Sequence, residues 1–340
     1  MMLLAGTPHD SLTANQIIRP DILGFNFSPV QCAHLGIENI RDTYRRALDL
    51  KPDYLRLATY PTRPIEETHE LLHEAKDRDI PVILAVGGIK YPRWPEFFPD
   101  AELKTHLDKK TLTVIGEEEY IFNKVITQIE ANIDEFNIYP NITHLQGGNE
   151  SANNVYVAGG VVESTNLIQK QLEIIKNRAT DKQKTIATFS FSLGKIPFIP
   201  DKERSIFRMY LEEVDSVGLH IYSRVPIRFF GYLTSGETDF HRAEEWIKEA
   251  QRKGKEVWAT EVQGEPFERR SPVHIAKRTY PSFDPERMID LVTNLTLRGF
   301  QRQLLWGVEH WIYHANQGHM EWIEGFKKLN AAPKLQQEAA

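Results

Sequence analysis

The 340-residue sequence predicts an α/β protein built as a single (β/α)8 TIM barrel with long loops on its C-terminal face. Three observations carry the prediction. Eight apolar, β-rich runs alternate with amphipathic helical stretches from one end of the chain to the other. Several runs, such as Val82-Ile83-Leu84-Ala85-Val86, are apolar without polar alternation, the pattern of parallel strands covered on both faces. The connections after runs three (88–115), six (223–238) and seven (263–283) are long, whereas those at the opposite end are short, as in a barrel whose C-terminal loops build a site.

Taken in order, the strands are expected at 22–28, 53–59, 81–87, 142–149, 184–190, 214–222, 256–262 and 302–308. Between them, a helix from about Pro64 to Arg78 has proline at its start, where no backbone N–H is needed. Another begins near Gly116 with Glu117, Glu118 and Glu119, acids suited to the positive end of the helix dipole. A third takes Asp284 as N-cap, continues with Pro285 and Glu286, and stops before Gly299. Eight β-then-α units also fit an open doubly wound sheet. No G-x-G-x-x-G follows the first strand, which counts against a dinucleotide-binding version of that sheet. The chain divides into an N-terminal extension (1–20), the barrel (21–330) and a C-terminal tail (331–340) expected to fray.

Composition narrows the partners. Hydrophobic residues make up 41% and charged residues 26%, enough for a soluble protein with a real core. A net charge of −6, with basic residues scattered, argues against nucleic-acid and anionic-membrane partners. Cys32 is the only cysteine, which excludes an intrachain disulfide and a multi-cysteine zinc site. The apolar start is four residues long, too short for a signal-peptide core, and no run approaches the ~20 apolar residues of a membrane span. A cytoplasmic protein is the expectation. Oligomeric state is not legible.

The chemistry-bearing residues sit at strand ends. Strand four ends His144-Leu145-Gln146-Gly147-Gly148-Asn149-Glu150, and strand seven ends Val257-Trp258-Ala259-Thr260-Glu261. Each glutamate directly follows an apolar run, so both should project at the barrel mouth, where strands four and seven face each other. Glycoside hydrolysis needs such a pair: one carboxyl protonates the leaving oxygen while the other attacks the anomeric carbon. A single strand-end glutamate is more often half of a surface ion pair; the paired arrangement is what points to chemistry.

With these motifs the sequence resembles the clan A glycoside hydrolases, the superfamily of retaining barrel glycosidases. The resemblance runs through all eight strands. It implies that Glu150, in Asn149-Glu150, is the acid/base and that Glu261 is the nucleophile. It also implies substrate-site roles for Arg56 in Tyr54-Leu55-Arg56-Leu57, for His220 and Tyr222 in His220-Ile221-Tyr222, and for Trp306 as the aromatic floor under the sugar. At the end of strand three, where several of these families carry histidine, this chain reads Gly87-Gly88-Ile89-Lys90-Tyr91-Pro92-Arg93-Trp94. No cofactor or metal is implied, and the partner is a carbohydrate, by analogy a β-linked hexose or pentose.

The residue chemistry agrees with these roles. Glu261 must be ionised to attack, and Arg56 and Tyr222 would hold it so. Glu150 must keep a proton that the charge of Glu261 helps it retain. Asn149 can donate to the sugar 2-hydroxyl. Trp306, Trp311, Trp94 and Tyr91 offer faces for sugar C–H surfaces, although tryptophan is equally at home in a core. Glu265, Glu268 and Glu309 follow strands seven and eight and could meet sugar hydroxyls; a plain salt bridge is the blander reading of each.

Three other readings compete. His69-Glu70-Leu71-Leu72-His73 matches the H-E-x-x-H zinc-protease motif. However, Ile65, Leu71, Leu72 and Ala75 define the apolar stripe of that helix and leave His69 and His73 toward solvent. A metal-dependent sugar isomerase or epimerase could use Glu150, His220 and Glu261, but Ala187-Thr188-Phe189-Ser190-Phe191-Ser192 adds no ligand at strand five. A catalytically dead sugar-binding barrel would not need both carboxylates.

Overall fold

Eight parallel strands close into one barrel: β1 (Ile22–Asn26), β2 (Leu55–Ala58), β3 (Val82–Ala85), β4 (Ile142–Gly147), β5 (Lys184–Ser190), β6 (Ser216–Ile221), β7 (Glu256–Gln263) and β8 (Arg302–Trp306). Each pairs with its neighbours in sequence, and β1 closes on β8 with Ile22 opposite Arg302 and Phe25 opposite Leu305. The computed structural model describes residues 16–60, 63–86, 113–115, 119–147, 161–190, 202–227, 231–234, 237–266 and 282–335. All eight expected strands are present, six of them trimmed at their ends, Lys184–Ser190 as expected and Glu256–Gln263 longer by one residue, and the open-sheet alternative is excluded by the closure.

The helices are α1 (Pro29–His34), α2 (Ile40–Leu48), α3 (Ile65–Asp77), α4 (Glu119–Phe136), α5 (Thr165–Arg178), α6 (Lys202–Glu213), α7 (Glu237–Arg252), α8 (Pro285–Leu297), α9 (Val308–Asn316) and α10 (Glu321–Ala331). Their ends follow local chemistry. Asp284 caps α8 by accepting the Arg287 N–H at 2.9 Å, Pro285 opens its first turn, and Gly299, at φ +97°, carries the chain out of it. Helix α3 buries Thr68, Leu71, Leu72 and Ala75; Ile65, expected on that stripe, is instead 44% exposed at the first position of the helix.

Strand alternation explains why the apolar runs look continuous. Tyr54, Ile83, Ile186, Trp258 and Leu304 point into the barrel and pack on one another. The residues between them, such as Leu55, Leu57, Leu84, Ala187, Ala259 and Leu305, point outward into the apolar layer beneath the helices. Both faces are therefore dry. Losing one of the large side chains would cost about 3–5 kcal/mol.

The N-terminal end of the barrel is plugged by polar groups. Glu256 pairs with Lys184 and lies 3.3 Å from His144 Nε2 and 3.3 Å from Ser216 Oγ. Arg19 pairs with Asp53 and donates to Asn330, and a parallel bridge joins Arg19 to Lys334. Residues 16–20 and 331–335, read from the sequence as extension and tail, are thus tied together under the barrel. At the opposite end the connection after β4 is longer than expected. It carries a short strand, Val161–Glu163, parallel to Thr113–Ile115 from the connection after β3. Three residues are too few to show a strand period in sequence. A hairpin of Arg224–Ile227 and Gly231–Thr234 follows β6. Among the described residues no helix is long and apolar enough to cross a membrane.

The plug makes a pH prediction. The hydrogen bond from His144, with Lys184 and Arg302 adding to it against the opposing effect of burial, holds the Glu256 carboxyl far below its ordinary value of 4.5. A depressed folded-state value means that Glu256 contributes stability above pH 4.5 and loses it as pH falls. Glu256→Gln should lower the melting temperature at pH 7 by a few degrees, about 1 kcal/mol for a partly exposed charged network. It should also flatten the acid-side loss seen in wild-type melts between pH 3 and 7; parallel wild-type and variant curves would refute the assignment.

Candidate active site at the mouth of the barrel

The inward rows of the strands end in polar residues at the C-terminal face. Asn26 ends β1, Arg56 follows the inward Tyr54 on β2, Gln146 lies two residues past His144 on β4, Thr188 two past Ile186 on β5, and His220 two past Gly218 on β6. Strand β7 gains an extra residue. Opposite β6 its register runs Ala259 to Leu219 and then Glu261 to His220, so Thr260 is bulged. Strict alternation would send Glu261 outward beside Ala259. The bulge instead turns both Thr260 and Glu261 toward the interior, a re-aiming that such irregularities commonly supply next to functional sites. Gly218 makes room for it, since a Cβ there would stand 2.4 Å from Thr260 Oγ1.

Glu261 is 5% exposed and held at both oxygens. Arg56 Nη1 donates to Oε1 at 2.7 Å and the Tyr222 hydroxyl donates to Oε2 at 2.7 Å; His220 Nδ1 lies 3.4 Å from Oε2. Arg56 is itself locked. Its Nη1 also donates to Asn26 Oδ1 at 2.7 Å, and its Nε to Gln146 Oε1 at 2.6 Å. Gln146 Nε2 passes on to Thr188 Oγ1 at 3.1 Å, while the Asn26 amide donates to the carbonyls of Thr260 and Leu305 at 3.0 and 3.1 Å. Side chains and carbonyls from β1, β2, β4, β5, β6 and β8 therefore fix the orientation of one carboxylate, which faces a guanidinium that is only 2% exposed.

Four of the candidate residues, Arg56, His220, Tyr222 and Glu261, thus meet at one point. Trp306 ends β8, half-buried, with its indole N–H donating to Glu265 Oε1 at 2.9 Å. Two candidates lie elsewhere. Trp311 is fully buried in α9, edge-on to Phe25, with its N–H on the Gly264 carbonyl at 2.7 Å; it backs the site from the core and offers no face to a sugar. Glu309 is 1% exposed and accepts the Ser28 N–H, because the left-handed Gly307 turns the chain straight into α9 and carries residue 309 behind the mouth. Burial raises the carboxyl of Glu309 to about 8 and that of Glu265 to about 7. Asn149, Glu150, Trp94, Tyr91 and Glu268 lie outside the described residues.

Asn26, Gln146, Thr188 and Gln263 are site residues that sequence reasoning missed. The available signal was a polar residue closing an otherwise apolar run. Gln263 accepts from Ser223 Oγ and Arg224 N, and its amide donates to the carbonyls of Arg224 and Glu265, which joins the loops after β6 and β7. The histidines of the H-E-x-x-H motif are partnered as surface residues. His69 sits between Tyr139 OH at 2.9 Å and Glu135 Oε1 at 2.7 Å, less exposed than expected because it packs on Phe136; His73 pairs with Asp77 at 3.2 Å. Among the described residues no group of His, Cys, Asp and Glu has the arrangement of a metal site.

Fold and mouth together define the class: a (β/α)8 barrel with a buried, guanidinium-clamped carboxylate at the C-terminal end of β7. No protein-family model matches the chain, and no curated protein is detectably similar in sequence. Solved structures do share the fold. GH5_18 from Bifidobacterium longum subsp. longum ATCC 55813, in complex with Manb1-4GlcNAc, is similar with a TM-score of 0.62 at 14% identity, over 93% of this chain and 80% of that one. The spore cortex-lytic enzyme SleL of Bacillus cereus is similar with a TM-score of 0.52 at 11% identity, over 92% of this chain and 75% of that one. At these identities the likeness is one of fold.

The clamp predicts a specific energetic pattern. Arg56→Met should destabilise the protein by about 3–5 kcal/mol in urea unfolding, since it leaves Glu261 buried without its cation. The double variant Arg56→Met/Glu261→Gln should regain part of that loss, and additive single losses would show that the two residues are not coupled.

Proposed function

We propose that the protein is a retaining glycoside hydrolase that cleaves a β-glycosidic bond by double displacement, with Glu261 as nucleophile and Glu150 as acid/base. The observation that carries this reading is the state of Glu261: a nearly buried carboxylate at a barrel mouth, with one donor on each oxygen. The shared fold with glycoside hydrolases supports it. In the first step Glu261 attacks the anomeric carbon while Glu150 gives its proton to the departing oxygen. In the second, Glu150 takes a proton from water, which attacks the same carbon and releases Glu261. Arg56 keeps the attacking oxygen oriented without reorganisation at the moment of reaction. Tyr222 holds the other oxygen, and Trp306 offers an aromatic face to the sugar.

A metal-dependent isomerase would need Glu261 as a ligand. With a guanidinium on one of its oxygens and a phenol on the other, the carboxylate is matched to countering its charge with protein groups. Exhaustive chelation is expected to leave activity unchanged.

A panel of nitrophenyl β-glycosides should reveal turnover, and proton NMR should show the β-anomer forming first. An inverted first product would mean carboxylates ~6.5–9.5 Å apart with water between them, and the proposal would fall. Glu261→Ala should lose at least about 10³-fold in kcat/KM on every substrate, with azide returning a glycosyl azide of inverted configuration. Glu150→Ala should spare the first step on substrates with good leaving groups, and azide should rescue the second with retention. Trp306→Ala should lower kcat/KM about tenfold, roughly 1.4 kcal/mol, with little change in melting temperature; the opposite pattern would make it a core residue.

A further inference from the structure

Beneath Trp306 lies a carboxyl group that the proposed reaction does not use. Glu265 is 3% exposed, and its Oε1 faces two donors, the Trp306 indole N–H at 2.9 Å and Gln31 Nε2 of α1 at 3.5 Å. Its Oε2 is buried and meets no hydrogen-bond partner among the described residues. The backbone is shaped around this side chain. Gly307 adopts φ +116°, and a Cβ there would stand 2.6 Å from Cβ of Glu265; a Cβ on Gly264 would stand 2.5 Å from the Trp306 carbonyl oxygen. Glu265 is thus wedged between the ends of β7 and β8, in contact with the tryptophan and out of reach of a substrate.

A carboxyl with one oxygen facing no donor is at ease only when that oxygen carries the proton; as an anion it would leave a buried charge unsatisfied. The groups that face it agree. Burial, with a smaller contribution from the charge of Glu261 on β7, raises the Glu265 carboxyl to about 7 against the opposing hydrogen bonds from Trp306 and Gln31. Glu309 on α9, itself raised by burial to about 8, feels the charge of Glu265 in turn. Gln31, Trp306 and Gly307 bring no charge.

We propose that Glu265 is a positioning residue for Trp306, and that its single proton decides how the indole is held at the barrel mouth. With the proton on Oε2, Oε1 accepts the indole N–H and the ring stays seated. Without it, Oε2 must draw a donor from Gln31, the indole or entering water, and the ring is re-seated. The effect on the indole stands by itself. The effect on turnover rests on the reading of Trp306 as the sugar platform.

The test follows the six tryptophan indoles by ¹H–¹⁵N NMR between pH 5.5 and 8.5, with Trp306 identified as the signal missing from Trp306→Phe. The Trp306 signal should titrate once, with a midpoint near 7, and should not titrate in Glu265→Gln, which keeps the acceptor but cannot ionise. A flat wild-type signal, or a titration that persists in Glu265→Gln, overturns the proposal. If Glu265→Gln does not fold, Gln31→Leu decides: loss of a donor to the anion must move the midpoint upward, and an unmoved midpoint overturns the proposal. In turnover, KM of the wild type should rise severalfold from pH 6 to 8 while that of Glu265→Gln changes less than twofold, with the pH profile of kcat alike in both. Absence of any glycosidase activity would sink the reaction reading and leave the indole titration to judge Glu265.

Discussion

One buried ion pair organises the mouth of this barrel. Taking the Arg56 guanidinium and the Glu261 carboxylate out of water costs several kcal/mol per ion, and their attraction offsets this only when the remaining donors and acceptors are satisfied. Hence the ring of uncharged polar groups. Asn26 and Gln146 accept from Arg56, Tyr222 donates to Glu261, and Thr188 receives the far end of Gln146. Each comes from a different strand or strand end, so the closed sheet is what makes the pair affordable. Opening the barrel at any seam would strand a charge.

The same demand shapes the backbone. A regular β7 would present Glu261 to the helix layer, away from Arg56. The bulge at Thr260 spends one residue to bring the carboxylate inward, and the absence of a side chain at Gly218 gives the bulged threonine somewhere to go. The Asn26 amide then ties the bulged carbonyl to the end of β8. Local irregularity and global closure are thus one feature seen at two scales.

Around this clamp the site is layered by polarity. Charged and hydrogen-bonding residues occupy the inner rim, Trp306 stands half-exposed beside them, and behind it lie carboxyl groups that burial favours as neutral acids, Glu265 and Glu309. Acids at increasing depth thus meet different surroundings: Glu261 faces the Arg56 guanidinium, whereas burial shifts Glu265 and Glu309 toward the neutral form. At the opposite end the partnering is reversed for Glu256, whose ordinary pKa is lowered by His144, Lys184 and Arg302.

By itself the sequence determined the barrel, its eight strands and the strand-end residues Arg56, His220, Tyr222, Glu261 and Trp306. Those features are local: a run of apolar residues has a period, and the residue that ends it has a known place. Among the described residues, the tertiary structure decided which glutamates and tryptophans after strands seven and eight face the mouth. Glu309 and Trp311 follow strand eight in sequence just as Glu261 ends strand seven, yet the left-handed turn at Gly307 carries them into the core. Asn26, Gln146 and Thr188 carry no motif of their own, and their importance exists only once the sheet closes and brings them around Arg56. The depth of Glu265, and with it the direction of its titration, likewise depends on Gln31, Trp306 and Gly307 arriving from distant parts of the chain. Sequence pattern registers what each residue meets along its own strand or helix; burial and charge balance are sums over neighbours that only the folded chain assembles.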